Sequence, residues 1–281
     1  MISEILHGVK SDFLSHVLLE EGMGRIHSVF ENSFNIVLAD NLIHVGKQSE
    51  GLSAFGLVLK DVQLDQLLHT LEVKMQVRNQ AGKLTIYGHR KIWTLHVSNF
   101  DTVDLSVIES QQMLEKPEFI SELLAEFEAL NIPEKTGLFE EIENHTLIEA
   151  FKEPRLSDEI LQKDFMRHFI GRGIGLTPSG DDLLMGIAMG CLLTGGDPDW
   201  LVFLNDQLKE IQTTAVSHAY YDTLLAGHTS SYFKAFLDAL GQCDLTKWPS
   251  LINNISTYGH TSGWDTLFGI YLYFENIQKN K

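Results

Sequence analysis

The alternation of apolar and polar residues changes period about a third of the way along the chain. From Arg25 to about Val107, short runs rich in Val, Ile, Phe and Thr are punctuated by Gly, Asn and Asp, the mark of strands joined by turns. Ser28–Leu38, Leu42–Val45, Phe55–Leu59, Glu72–Val77, Lys83–Tyr87 and Lys91–Ser98 predict strands. Asn79-Gln80-Ala81-Gly82 predicts a hairpin loop, and Asp61–Leu71 predicts a short helix. After about Ser110 the apolar residues fall three and four apart, as at Phe119, Leu123, Leu124, Phe127 and Leu130, which is helical spacing. Further helices are predicted over Ser157–Ile170, Ser179–Thr194, Asp199–Glu210, Thr213–Ala226, Ser230–Leu240 and Ser262–Gln278. The expected fold is α+β. A β-rich N-terminal domain, residues 1–112, precedes an all-helical domain, residues 113–281, built on two central apolar helices.

One segment carries more than periodicity. Gly171-Arg172-Gly173-Ile174-Gly175-Leu176-Thr177-Pro178-Ser179-Gly180-Asp181-Asp182 places alternating glycines before a Thr-Pro-Ser helix start. Glycine permits positive φ and close approach by a ligand. Ser179 is the expected N-cap with Asp182 at N3, and free N–H groups at such a terminus favour an anion. The spacing is neither a dinucleotide fingerprint nor a P-loop, because no Lys-Ser/Thr follows the glycines and helices precede them.

The same start recurs 83 residues later. Ser179-Gly180-x-Asp182-x-Leu184-x-Gly186 matches Ser262-Gly263-x-Asp265-x-Leu267-x-Gly269 at all five specified positions. A partial copy, Gly227-His228-Thr229-Ser230, repeats Gly259-His260-Thr261-Ser262, with Phe233 in place of the acid. The full copies open the apolar stretches Leu183–Leu193 and Leu267–Phe274, which argues for buried helices. Gly186 and Gly269 each cost about 1 kcal/mol relative to Ala in a helix interior, and close packing of the two helices is the expected compensation. Capping accounts for Ser179, Asp182, Ser262 and Asp265. It leaves Gly173, Gly175, the His before each later Thr-Ser, and Asp181, which points about 100° away from Asp182 around the helix. These extras favour a site.

Composition narrows the functional classes. The 281 residues are 44% hydrophobic, enough for a sizeable core, and 38 acids against 21 bases give a net charge of −17. That excludes a duplex-DNA binder and disfavours docking on an anionic membrane. A small anion is still admissible, because a few donors in one pocket outweigh the global field. Residues 118–164 hold 13 acids against four bases, read chiefly as the solvated face of helices. Cys191 and Cys243 show no C-x-x-C pattern, so neither a disulfide framework nor a zinc ribbon is expected. The N-terminus lacks a basic stretch followed by an apolar one, and Leu183–Leu193 is too short to span a bilayer. A cytoplasmic protein is expected.

Other candidates carry less. His218 and Asp222, one helical turn apart, form a pair or half a metal site, and no third ligand has the right spacing. Arg167, His168 and Arg172 are the cationic cluster beside the glycine loop. His89-Arg90-Lys91 reads as a basic strand end. No arrangement identifies a nucleophile or an acid/base pair from spacing alone.

The segment G-x-G-x-G-L-T-P-S-G-D-D-L-L-x-G, followed by Thr213-Thr214-x-x-Ser217 and G-H-T-S-G-W-D-T-L-F-G, resembles the AllH-type family, named for a subunit of the oxamate carbamoyltransferase of anaerobic allantoin breakdown. The resemblance is specific in the helical half and general in the β half. It implies a role in carbamoyl transfer between carbamoyl phosphate and oxamate, beside FdrA-type and other carbamoyltransferase subunits. Such transfer needs donors and cations where negative charge develops. On this reading Arg172, Gly173, Gly175, Thr177, Ser179, Gly180, Thr261, Ser262 and Gly263 bind the small anionic substrate. Asp181, Asp182, His260 and Asp265 carry the chemistry. Asp181 or Asp182 could accept from an –NH₂ group or hold Mg²⁺ beside a phosphate, although no metal ligand set is assigned. The chain is poor in Lys and Arg for binding carbamoyl phosphate alone, which favours a site shared with another subunit. Two other readings stand beside this one. The chain could be a non-catalytic anion-binding or assembly protein, or a metal-assisted hydrolase or transferase.

Overall fold

A computed structural model of the chain describes residues 2–139, 142–152, 159–196, 198–257 and 259–279. The chain divides into two compact units. One is Met1–Ser106 with His228–Ser231, and the other is Val107–Gly227 with Tyr232–Lys281. The fold is α+β, a sheet followed by helices.

The first unit holds strands β1 (Ile2–Ile5), β2 (Val9–Ser11), β3 (Gly22–Val29), β4 (Ser33–Leu38), β5 (Asn41–Lys47), β6 (Gly56–Leu59), β7 (Gln76–Gln80), β8 (Lys83–Tyr87), β9 (Ile92–His96) and β10 (Asp101–Val103), with helices α1 (Leu14–Val17) and α2 (Asp61–Leu68). Its described strands form one mixed sheet in the order β1-β9-β8-β7-β3-β4-β5-β6-β2-β10. The pairs β1/β9, β5/β6 and β2/β10 are parallel. Inward residues such as Ile26, Phe34, Ile36, Val45, Val77 and Ile86 pack with Leu64 and Leu67 of α2.

The run Ser28–Leu38, expected as one strand, is two. The chain reverses between Val29 and Ser33, where the Phe30 N–H bonds the Ser33 carbonyl at 2.8 Å. Glu31 and Asn32 supply the polar turn that the flanking apolar residues mask. The strand expected at Glu72–Val77 starts later, at Gln76. The hairpin loop is tighter than expected. Gln80 pairs with Lys83, leaving Ala81-Gly82 as a two-residue loop with φ of 50° and 80°, the geometry that matches strand twist. Asn79 Oδ1 accepts the Gly82 N–H at 3.1 Å.

The second unit holds α3 (Pro117–Ala129), α4 (Ile142–Lys152), α5 (Glu159–Phe169), α6 (Ser179–Thr194), α7 (Pro198–Glu210), α8 (Ala215–Leu225), α9 (Ser231–Gly241), α10 (Trp248–Ser256) and α11 (Ser262–Lys279). Helices α4 and α10 were not expected, the first being embedded in the acidic run and the second short. Ser157 and Asp158, the expected start of α5, lie outside the described residues. Among the described residues no helix is long and apolar enough to cross a membrane. Cys191 and Cys243 form no disulfide among the described residues.

Helices α6 and α11 form the centre of this unit. Every residue of α6 except Leu192 is buried, and over Leu267–Phe274 only Tyr271 is partly exposed. They meet at their glycines. A methyl group on Gly186 would overlap the Thr266 carbonyl oxygen at 2.1 Å and lie 2.9 Å from Gly269 Cα. One on Gly269 would overlap the Leu183 carbonyl oxygen at 2.1 Å and lie 2.9 Å from Gly186 Cα. Each contact maps onto the other by the 83-residue repeat, so the sequence duplication is a local two-fold arrangement. The absent side chains let the backbones touch, which compensates the helix-propensity cost of glycine.

Candidate functional site

The two-fold arrangement brings both helix starts to one place. Gly180 and Gly263 occupy matching positions. A methyl group on either would overlap a backbone carbonyl of the preceding helix, Phe169 in α5 and Ile255 in α10. Each repeat is thus a helical hairpin with a glycine at its tightest approach. Ser179 is the first residue of α6 and not its N-cap. Pro178 caps the helix (φ −53°, ψ 142°) and offers no side-chain acceptor. The amides expected to be free are taken up. Gly180 N–H bonds the Arg172 carbonyl at 2.9 Å, and the Asp181 and Asp182 N–H groups bond Pro178 O at 2.9 and 3.2 Å. What the helix start exposes is therefore mainly hydroxyl groups.

Those hydroxyls line a cavity of roughly 640 Å³. Its walls include Arg172, Gly173, Gly175, Thr177 and Ser179 from the first repeat, and Gly259, His260, Thr261 and Ser262 from the second. Gly137, Leu138, Asn144, Ile174 and Leu176 complete it. Thr177 Oγ1 and Ser262 Oγ lie 2.8 Å apart, linking the repeats. Gly173 has φ of 121°, and a side chain there would press within 2.8 Å of the Ser179 nitrogen. Only glycine suits that conformation and that approach. The glycine loop is anchored from α8, whose N-cap Thr214 accepts the Ser217 N–H at 3.0 Å and donates its hydroxyl to the Leu176 carbonyl.

Sequence reasoning missed the 136–139 turn. Gly137 donates its N–H to Asp265 Oδ1 at 2.9 Å, and a methyl group at Gly137 would collide with the Ser179 hydroxyl. The turn reaches the helix starts only through tertiary packing, so the one available signal was a glycine inside an acidic run. Asn144 is held by two partners, donating to the Leu138 carbonyl at 2.8 Å and pairing with His168 Nε2 at 2.6 Å.

The three acids occupy different environments. Asp181 is fully buried and lies outside the cavity wall. It accepts the Gly171 N–H at 2.9 Å, the Tyr221 hydroxyl at 3.0 Å and the Thr213 hydroxyl. Its function in the fold is to tie the glycine loop to α8. Asp182 and Asp265 sit beneath the cavity hydroxyls. Burial pushes Asp182 well above the usual carboxylate range, hydrogen bonds from Ser262 and Thr177 oppose it, and the charges of Asp265 and Asp181 add to it. Burial also raises Asp265, opposed by Ser179, Thr261 and the Gly137 amide. One oxygen of each, Oδ2, is buried without a hydrogen-bond partner.

Cations are few at the cavity. Arg172 Nη2 lies 3.4 Å from Glu143. Arg167 Nε donates to Gln207 at 2.7 Å, away from the cavity wall. Among the described residues no three His, Cys, Asp or Glu side chains converge as a metal set. Asp181 has both oxygens occupied, so it offers Mg²⁺ no ready ligand. His218 acts electrostatically on Asp222 within α8. His89 lies 3.7 Å from Glu72 in the sheet unit.

Residues 169–274, which span the glycine loop and both repeats, match the family profile described as oxamate carbamoyltransferase subunit AllH. Residues 6–102 match the AllH family N-terminal domain. The chain belongs to the AllH family. The first match covers both halves of the two-fold arrangement, and the second covers nearly all of the sheet apart from β1. No solved structure matches the chain. Of the residues that the sequence points to in this AllH chain, Arg172, Gly173, Gly175, Thr177, Ser179, His260, Thr261 and Ser262 line the cavity. Gly180 and Gly263 set the backbone behind it, and Asp182 and Asp265 lie under its hydroxyls.

Proposed function

We propose that this chain is a subunit of an oxamate carbamoyltransferase-type enzyme of allantoin nitrogen breakdown, and that it holds a small anionic substrate in the cavity at the paired helix starts. The observation that carries this reading is the convergence of both family-motif repeats on one hydroxyl-lined cavity.

In the reaction, the amide nitrogen of oxamate attacks the carbamoyl carbon of carbamoyl phosphate. A C–N bond forms, and the C–O bond to phosphate breaks with its electron pair leaving on phosphate. The nitrogen loses a proton, giving oxalurate. The barrier falls where donors meet the charge that grows on the carbonyl and phosphate oxygens. The hydroxyls of Thr177 and Ser262 supply such donors, His260 adds a polar ring to the wall, and Arg172 supplies positive charge. That charge is modest, because Arg172 is already paired with Glu143. Partner subunits of the FdrA type and their companions supply the remaining cations, so the working site is shared.

The test is co-expression with those partner subunits, followed by oxamate-dependent phosphate release from carbamoyl phosphate. The assembled enzyme is expected to turn over, and the isolated chain to show little or none. Robust turnover by the isolated chain would refute the shared site. An inactive assembly would refute the reaction.

A further inference from the structure

The three buried acids at the helix starts differ in the kind of donor they receive. Asp181 accepts a backbone N–H from Gly171 besides two hydroxyls. Asp265 accepts a backbone N–H from Gly137, with Ser179 and Thr261 beside it. A backbone N–H can only donate, so the carboxyl oxygen it meets in each must accept. Asp182 has no such donor. Its neighbours are the hydroxyls of Ser262 and Thr177, which can rotate to donate or accept. It is 4% exposed, and its Oδ2 has no partner. The titratable groups facing it are Asp265 of α11, Asp181 of its own helix and Tyr221 of α8, with no cation among them. With two acids beside it, no backbone donor and an unpartnered buried oxygen, Asp182 is the member of the cluster with the least to hold a charge.

We propose that Asp182 carries a proton in the folded protein and, through Ser262 and Thr177, makes the cavity floor a hydrogen-bond donor that selects the oxygen of an anion. The geometry gives the direction. Ser262 and Thr177 are 2.8 Å apart and both line the cavity. If Asp182 were ionised, the hydroxyl protons would run inward toward it, and oxygen lone pairs would face the cavity and repel an anion. With Asp182 protonated, its O–H donates to one hydroxyl, that hydroxyl donates to the other, and the outer O–H points at the ligand. Asp182 is thus a positioning residue that sets the polarity of the floor without touching the ligand. Burial of the carboxyl, which raises its affinity for a proton, supports this state. The selection of an anion rests on the cavity reading above, whereas the proton on Asp182 can be tested without any ligand.

The experiment has two arms, using the whole chain. Infrared spectra at neutral pH compare the wild type with Asp182→Asn. The wild type is expected to show the C=O stretch of a protonated carboxyl group that the variant lacks. Calorimetric titrations with oxamate and with sulfate, neither of which changes charge near neutrality, then run from mildly acid to mildly alkaline pH. Wild-type affinity is expected to fall with rising pH, by up to about tenfold per pH unit once Asp182 ionises. In Asp182→Asn the amide N–H donates at every pH, so affinity persists and this fall flattens. His260 shares the cavity, so the profile is read as the difference between the two proteins. Should Asp182→Asn fold poorly, Ser262→Ala serves as the second variant. It keeps the infrared band and loses about tenfold in affinity, the scale of one hydrogen bond. A wild type without the band, or identical pH profiles for wild type and Asp182→Asn, would overturn the proposal. Binding of neither probe at any pH, with the band present, would overturn the anion cavity and the selection with it, while establishing the proton on Asp182.

Discussion

At Asp181, three donors converge on a fully buried carboxyl group. Capping leaves Asp181 unexplained in the sequence, and Trp264 stands at its place in the second repeat. Both facts fit a residue whose partners, Gly171, Thr213 and Tyr221, belong to one repeat only. Asp181→Asn places an NH₂ group where only acceptors are useful, so at least one buried donor loses its partner. The expected cost is about 1–3 kcal/mol of stability, read by chemical denaturation. An unchanged midpoint would mean that the three bonds contribute nothing. The neighbouring Asp182 was assigned a capping position that it does not hold, because Pro178 shifts the helix start by one residue. A proline N-cap is invisible to a search for Ser, Thr, Asp or Asn at that position.

Among the elements, α6 and α11 were the most legible, and for a physical reason. An all-apolar helix with a costly glycine in its middle must be central, and two such helices with the same motif have each other to pack against. The observed contacts pair Gly186 with Gly269 across the local two-fold. Gly186→Ala and Gly269→Ala each put a methyl group into a backbone carbonyl that belongs to a helix and cannot step aside. Each is expected to cost about 3 kcal/mol or more, at or beyond the upper end of ordinary overpacking. Gly22→Ala, which meets nothing within 4 Å, serves as the control and should leave the melting temperature nearly unchanged. Equal melting temperatures for all three variants would contradict the packing. The two short strands at one end of the sheet were far less legible. β2 and β10 are three residues each, too short for alternation to register. The 136–139 turn joins the site by a hydrogen bond across 128 residues of sequence, a distance over which local pattern carries no information.

On the scale of the whole molecule, the change from strand to helix periodicity marks the change from sheet to helices. The return of His228–Ser231 to the sheet unit has no counterpart in the hydropathy pattern. Three of those residues, His228 to Ser230, belong to the partial third copy of the helix start, Gly227-His228-Thr229-Ser230 without its acid. Here the same residues serve the sheet unit. His228 lies 3.1 Å from Asp12, and Thr229 donates its N–H to the Leu105 carbonyl at 3.0 Å. The excess of acidic residues fits the proposed shared site at this same scale, since a chain of net charge −17 would have to bind a doubly charged acyl phosphate against its own field. The central claim is that the hydroxyls at the paired helix starts act on the reacting anion. It is tested most directly by the rate of oxamate-dependent phosphate release in the assembled enzyme carrying Ser262→Ala together with Thr177→Ala. The account predicts a fall of roughly tenfold or more, the scale of a lost transition-state hydrogen bond, with assembly intact. Full activity in that double variant would contradict it.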